Sequence, residues 1–433
     1  MSEMIKLGLT RNRLFEFDNC VSFCGTIKGE FDFAECEKAL KMLWVKEPLL
    51  SGVIELKDDG KAFVVLNKVS PSLEIAQYSA MEYISQKKIE GIDFTKNLFA
   101  FAVAEGNNLC ICAHTAVADA RSLMYLAEAF MSFYNKSSIS VETSQVNLIS
   151  ETSQMPSNVF SVVVDRLASG LEVGWQKKVA FFTTEDYKKA RKKYLANKEP
   201  VGVIERGISQ ELLDDLKAFA QRENVDVSSL VAFAFYESLV EALGGNRKYR
   251  KMNIQSNGRI FFEDFQNMKM GAFNSFFAVE KKKNKKLPDT IQNNAISFHK
   301  EIYKKATSAF ASFYNEFLFM RLPECFADSQ YMYCAGEFKH KYSKKLANTY
   351  GCNNEVVGEF CSYNLNQQYW SGLESFCEVL LSEPLKMRSS TLVTFLQTHN
   401  KNTVLMEYKK DKLADSVALD ITEKAMKKLE DFK

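Results

Sequence analysis

Residues 114–122 read His-Thr-Ala-Val-Ala-Asp-Ala-Arg-Ser, and the sequence on either side decides how they fold. Upstream lie two nearly continuous apolar runs, LFAFAVAE (98–105) and NLCICAH (108–114), joined through Gly106-Asn107-Asn108. Runs of this length and composition are strands covered on both faces, and the turn residues between them make a hairpin. Downstream, Leu123, Leu126, Ala127, Phe130 and Tyr134 recur at helical spacing, which predicts an amphipathic helix from just after Asp119 to about Tyr134. Asp119 then stands where an N-cap belongs. The nonapeptide is therefore the corner between a buried strand and a helix. His114 is at the strand end, and Arg121 and Ser122 fall in the first helical turn.

The remainder of the chain fits a large α+β protein. With 433 residues and 46% hydrophobic content it is long enough for two cores. Fifty-six basic against 54 acidic residues leave a formal charge of +2, no general field for nucleic acid or an anionic bilayer. The first residues, MSEMIKLGLTRNRLFEF, carry charges inside every apolar stretch, and no later segment has the apolar length to span a membrane. A cytoplasmic protein is expected. Ten cysteines lack the paired spacing of a zinc site, and a chain this long does not need disulfide staples. Cys110 and Cys112 alternate onto one strand face and read as reduced core residues. The four histidines are scattered, so no metal site is expected.

Outward from the opening stretch, VSFCGTIKG (21–29) reads as a strand and Phe33–Val45 as an amphipathic helix ended by Pro48. SGVIEL and KAFVVL form a hairpin around Asp58-Asp59-Gly60, and a helix is predicted over 79–90. Residues 136–158 are rich in Ser, Thr and Asn and read as a surface loop. The lysine-rich stretch near 175–200, closing at Pro200, is the expected domain boundary. Beyond it the pattern restarts: helices at 209–222 and Ser228–Leu243, the latter stopped by Gly244-Gly245, and strands near 249–256 and 272–279. Helical patterns fill 288–320. Strands are then expected near 355–363, 377–382, 391–398 and 403–409, before a final charged helix. No Gly-rich phosphate loop follows any strand.

In this setting residues 114–120 resemble the H-H-x-x-x-D-G signature of nonribosomal peptide synthetase condensation domains, polyketide-associated acyltransferases and wax ester synthases, with His114 as first histidine and Asp119 as aspartate. The second histidine is Thr115 and the following glycine is Ala120. Residues 23–56 resemble the early strand-helix-strand of condensation domains, and VDVSSLVAFAFYESLVEAL (225–243) the long helix of the second half. MNIQSNGR (252–259) with MGAFNSFFAV (270–279) resembles the pair of strands with the family's "GR" and "G-x-x-x-N" positions. The plant-type DFGWG motif is absent.

The resemblance implies two chloramphenicol-acetyltransferase-like sandwich domains, residues 1–180 and 181–433, arranged as a V with a central channel. It implies an acyl thioester, on coenzyme A or a phosphopantetheinyl carrier protein, as co-substrate, with no tightly bound cofactor, and a small-molecule amine or alcohol as acceptor. It also implies that Asp119 pairs with Arg259 to hold the loop against the second half. Asn274 either lines the channel or closes a bulge. The family's base would stand at position 115, where a threonine hydroxyl is too weak an acid to serve near neutral pH. His114 reads as a hydrogen-bonded core histidine, because neighbours on an extended chain face opposite ways and it replaces a base at 115 only through a shifted loop. The lysines 281, 282, 283, 285 and 286 read as a solvated loop rather than a phosphate site. Two functions stay open: acyl transfer resting on substrate alignment, and a non-catalytic descendant that keeps the fold as a binding or recruitment platform.

Overall fold

The computed structural model describes residues 3–136, 142–175, 180–198, 200–243, 250–264, 268–282, 288–351, 356–366 and 373–433. Along the first part of the chain run β1 (Met4–Lys6), β2 (Cys20–Ile27), α1 (Phe33–Lys46), β3 (Val53–Leu56), β4 (Ala62–Val65), β5 (Leu73–Ile75), α2 (Ala80–Glu90), β6 (Phe99–Ala104), β7 (Asn108–His114), α3 (Ala120–Tyr134), α4 (Val162–Trp175) and α5 (Thr184–Ala196). The rest of the chain carries β8 (Val201–Ile208), α6 (Gln210–Glu223), α7 (Val227–Leu243), β9 (Met252–Asn257), β10 (Asn274–Val279), α8 (Ile291–Ala306), α9 (Ala309–Arg321), α10 (Cys325–Cys334), α11 (Lys341–Thr349), β11 (Gly358–Asn364), β12 (Phe376–Ser382), β13 (Thr391–Gln397), β14 (Asn402–Lys409) and α12 (Asp415–Leu429), of which α9, α10, α11 and β12 pack into the core of the N-terminal elements.

The first sheet has the order β12-β2-β7-β6-β5, and its strands are apolar throughout for the reason the sequence suggests. Val21, Phe23, Leu109, Ile111 and Ala113 face α1 and α3, whereas Cys20, Cys24, Cys110 and Cys112 face α2. Period-two alternation puts the cysteines on one face, where all four are free and buried. Cys334, in contrast, is disulfide-bonded, although a chain this long needs no such staple.

One strand of this sheet comes from far along the chain. β12 pairs antiparallel with β2, Leu381 opposite Phe23 and Val379 opposite Gly25, so the first sheet is completed by the second half of the sequence. Gly25 permits this, since a Cβ there would meet the Phe376 ring at 2.4 Å. The second sheet, β10-β9-β11-β13-β14-β8, packs against α7, α8 and α12. α7 is apolar on nearly every side because it lies between that sheet and α12.

The lysine-rich stretch expected as a boundary contains α5, whose Tyr187 and Ala190 are buried and whose Thr183 and Asp186 form a capping box. Tyr187 packs on Phe15, Phe17 and Phe94 of the first lobe. The surrounding lysines hide this narrow apolar stripe from a composition-based reading. Gly244 and Gly245 lie outside the described residues, as do Lys283, Lys285 and Lys286.

Candidate active site

β7 delivers His114 to the end of a central strand, opposite Cys20 of β2. The ring is fully buried, and its Nδ1 accepts the Ala116 N–H at 3.0 Å, which assigns the ring proton to Nε2. Nε2 has no partner. Burial, reinforced by the Arg191 charge, pushes the pKa down to about 3 against an opposing pull from Asp93. With its lone pair engaged and its protonated form disfavoured, His114 is no base at neutral pH.

The unfolded imidazole takes a proton below about pH 6.5 while the folded one does not, so stability is complete above that pH and falls by about 1.4 kcal/mol per pH unit below it, down to about pH 3. His114→Asn, whose Oδ1 can still accept the Ala116 N–H, is expected to lose about 2 kcal/mol less than wild type between pH 7 and 5 in urea denaturation. Equal losses would contradict the assignment.

Thr115 N–H donates to Asn19 O at 2.9 Å, and the residue is only 4% exposed. Its hydroxyl has no partner. Arg13 lies beside it, with Nη1 3.5 Å from the Thr115 carbonyl, and binds Asn274 twice: Nη1 donates to Oδ1 at 2.7 Å and Nη2 to the carbonyl at 2.6 Å. Nη2 also reaches Glu316 at 3.2 Å. Asn274 in turn donates Nδ2 to Glu383 Oε2 at 3.3 Å. Asn274 thus joins the two lobes beside position 115 at the start of β10.

Asp119 has both jobs open to it. As N-cap of α3 its Oδ1 accepts from Ser122 N at 3.0 Å, and it meets Arg259 in a bidentate pair, Oδ2 to Nη1 at 2.6 Å and Oδ1 to Nη2 at 2.9 Å. The Phe273 and Asn274 N–H groups also donate to Oδ2, at 3.0 and 3.1 Å. Burial alone would raise this carboxyl, but Arg259 and the N–H donors outweigh it and hold the pKa below the ordinary aspartate value. Arg259 extends the strap by donating to the carbonyls of Met268 and Gly271 at 2.7 and 2.9 Å.

Several residues at the lobe junction were not singled out in the sequence. Glu383, 1% exposed just beyond β12, accepts from Gln255 Nε2 at 2.7 Å, and its Oε1 lies 2.7 Å from the Tyr363 hydroxyl. Burial raises its pKa, the Tyr363 bond opposes, and the Asp119 charge reinforces the rise. Arg11 forms a buried bidentate pair with Asp328 of α10, at 2.7 and 2.6 Å. The available signal was the RNRLFEF segment itself: charges inside an apolar run are either exposed or paired in the interior, and here Arg11 and Arg13 are paired. Lys281 and Lys282 pair with Glu237 and Glu301 at 3.0 and 2.8 Å. Among the described residues no group of three or more His, Cys, Asp or Glu could hold a metal ion, and no helix is long and apolar enough to cross a membrane.

A cavity of about 390 Å³ opens between the lobes, lined by Arg121 and Met124 of α3 and, across from them, by residues that include Val227, Ser228, Ser362 and Tyr363.

No protein-family model matches the chain, and no curated protein sequence matches it. Solved structures do match, over essentially the whole length. The condensation domain of the monacolin K polyketide synthase MokA has a TM-score of 0.61 at 9% identity, covering 99% of this chain and 97% of its own. The first condensation domain of the CDA synthetase has a TM-score of 0.61 at 11% identity, with 100% and 96% covered. The epimerization domain from the third module of tyrocidine synthetase B has a TM-score of 0.60 at 12% identity, again with 100% and 96% covered. The chain therefore has the two-lobed α+β fold of condensation domains. That this fold also carries epimerization leaves the chemistry to the site.

Proposed function

We propose that the protein performs condensation-type acyl transfer, joining an acyl group held as a thioester, on coenzyme A or a carrier protein, to an amine. The observation that carries this reading is the cavity of about 390 Å³ between the lobes, bounded on one side by the helix that the motif begins. Its size lies within the range of small-molecule sites, roughly 300–1,000 Å³. The Asp119–Arg259 strap holds the two walls in register. An amine acceptor fits better than an alcohol, since a neutral amine attacks a thioester without prior deprotonation. Alignment of the two substrates then supplies much of the rate, up to roughly 7–11 kcal/mol of barrier in well-oriented systems. A cytoplasmic setting, where such thioesters are made, accords with the reading.

A second reading, a binding or recruitment platform without turnover, is favoured by one observation: neither His114 nor Thr115 can take a proton at neutral pH. The test is release of free thiol from a panel of acyl-CoA and acyl-pantetheine thioesters offered amines and alcohols. Transfer to amines by wild type and equally by folded His114→Ala is expected. Loss of transfer in folded His114→Ala would return the base role to His114, and no transfer by wild type would favour the platform.

A further inference from the structure

The cavity between the lobes is lined by a charge that no carboxylate of the described residues meets at ion-pair distance. Arg121, in the first turn of α3, lines it and forms no ion pair among the described residues. Its guanidinium stands over the Tyr363 ring, 6.0 Å from guanidinium carbon to centroid. Arg259, one possible competitor for anions, is already bound to Asp119. At the rim, Lys217 is held by Asp214 at 3.3 Å, and Asp226 lies 3.7 Å from His299. A guanidinium withdrawn from bulk water without a carboxylate is costly to keep, so a ligand anion is the natural complement.

Tyr363 lines the opposite wall. Its hydroxyl lies 2.7 Å from Glu383 Oε1 and 2.8 Å from Gln255 Oε1, and the charged carboxylate is the stronger acceptor. Glu383 is held from its other side by Asn274, which also contacts Arg13 beside Thr115. A phenol backed by a buried carboxylate passes a proton in the way a hydroxyl backed by histidine does.

We propose that this cavity is the acceptor site and takes an amine that also bears a carboxylate, with Arg121 holding the carboxylate and Tyr363, backed by Glu383, taking the proton of the amine. The inference rests on the acyl-transfer reading. The neutral amine attacks the thioester carbonyl, the C–N bond forms and the C–S bond breaks. The surplus proton on nitrogen goes to the Tyr363 oxygen as the phenol proton passes to Glu383. The departing thiolate takes a proton back along the same path, which leaves an amide, a free thiol and an unchanged Tyr–Glu pair. Tyr363 is the catalytic residue here and Glu383 the residue that acts through it.

The test uses the full chain with acetyl- and hexanoyl-CoA as donors, and β-alanine against propylamine, acceptors that differ only in the carboxylate. β-Alanine is expected to be used at least ~10-fold better, since a site built for a charged group rejects an analogue lacking it. Arg121→Met should erase that preference. Tyr363→Phe and Glu383→Gln should lower kcat about 100-fold at unchanged KM, the size of one acid-base contribution, and Glu383→Asp should recover part of the loss. Equal use of both acceptors by wild type overturns the carboxylate site, and wild-type kcat in Tyr363→Phe overturns the proton role. If wild type transfers nothing, the acyl-transfer reading and the proton role fall together. Calorimetric titration with β-alanine then decides the rest: binding that Arg121→Met removes keeps the carboxylate site, and no wild-type binding ends it.

Discussion

Replacing Asp119 by alanine is expected to cost about 3–5 kcal/mol of folding stability, because it leaves the Arg259 guanidinium buried without its countercharge. The side chain also caps α3 and accepts two backbone N–H groups from the second lobe, so its loss strikes a helix end and the lobe junction together. Urea denaturation measures it, and a loss below about 1 kcal/mol would contradict the account. A paired change separates charge from packing. Asp119→Leu with Arg259→Met should regain much of the loss, since replacing both members of a buried pair by apolar groups is far cheaper than removing one. The pH sense follows from the depressed carboxyl pKa. The contribution is complete above the ordinary aspartate value of 3.8 and disappears as pH falls through the lower folded value.

Thr115→His is expected to raise acyl transfer to alcohols, whose attack needs a base, by about 10²–10⁴-fold, the usual yield of one general base and roughly 3–5 kcal/mol of barrier, and to change transfer to amines little. Position 115 follows the strand end, so its side chain and that of His114 project differently, and the new imidazole would not be tied to the Ala116 N–H as His114 is. Thr115 is 4% exposed, so the larger ring requires some local adjustment, which a thermal melt will register. The measurement is thiol release with the same thioester panel. A folded Thr115→His no faster than wild type would mean that the junction no longer presents position 115 to substrate. Activity in Thr115→His with silence in wild type would identify the natural protein as a platform.

Much of the fold was legible because its signals are local. The turn chemistry of Gly106-Asn107-Asn108, the alternation of Leu109, Cys110, Ile111 and Cys112, and the stripe from Leu123 to Tyr134 each need only neighbouring residues to be read. Predicted elements therefore match β6, β7 and α3 closely. α5 escaped because its two buried residues, Tyr187 and Ala190, are diluted by lysines, and β12 was readable as a strand but not as a member of the first sheet. Strand partnership across more than 300 residues leaves no local mark.

The site divides in the same way. That position 115 lacks a base is a matter of residue identity, and the sequence alone decided it. That His114 cannot substitute was decided by burial and by the Ala116 N–H on its Nδ1, which exist only once β7 is packed. Arg13 lies beside Thr115 and is linked through Asn274 to Glu383, and Tyr363 and Arg121 line a common cavity from distant parts of the sequence. Sequence determines which groups are available and which local elements carry them. Their solvation, pairing and pKa depend on neighbours that only the tertiary structure supplies.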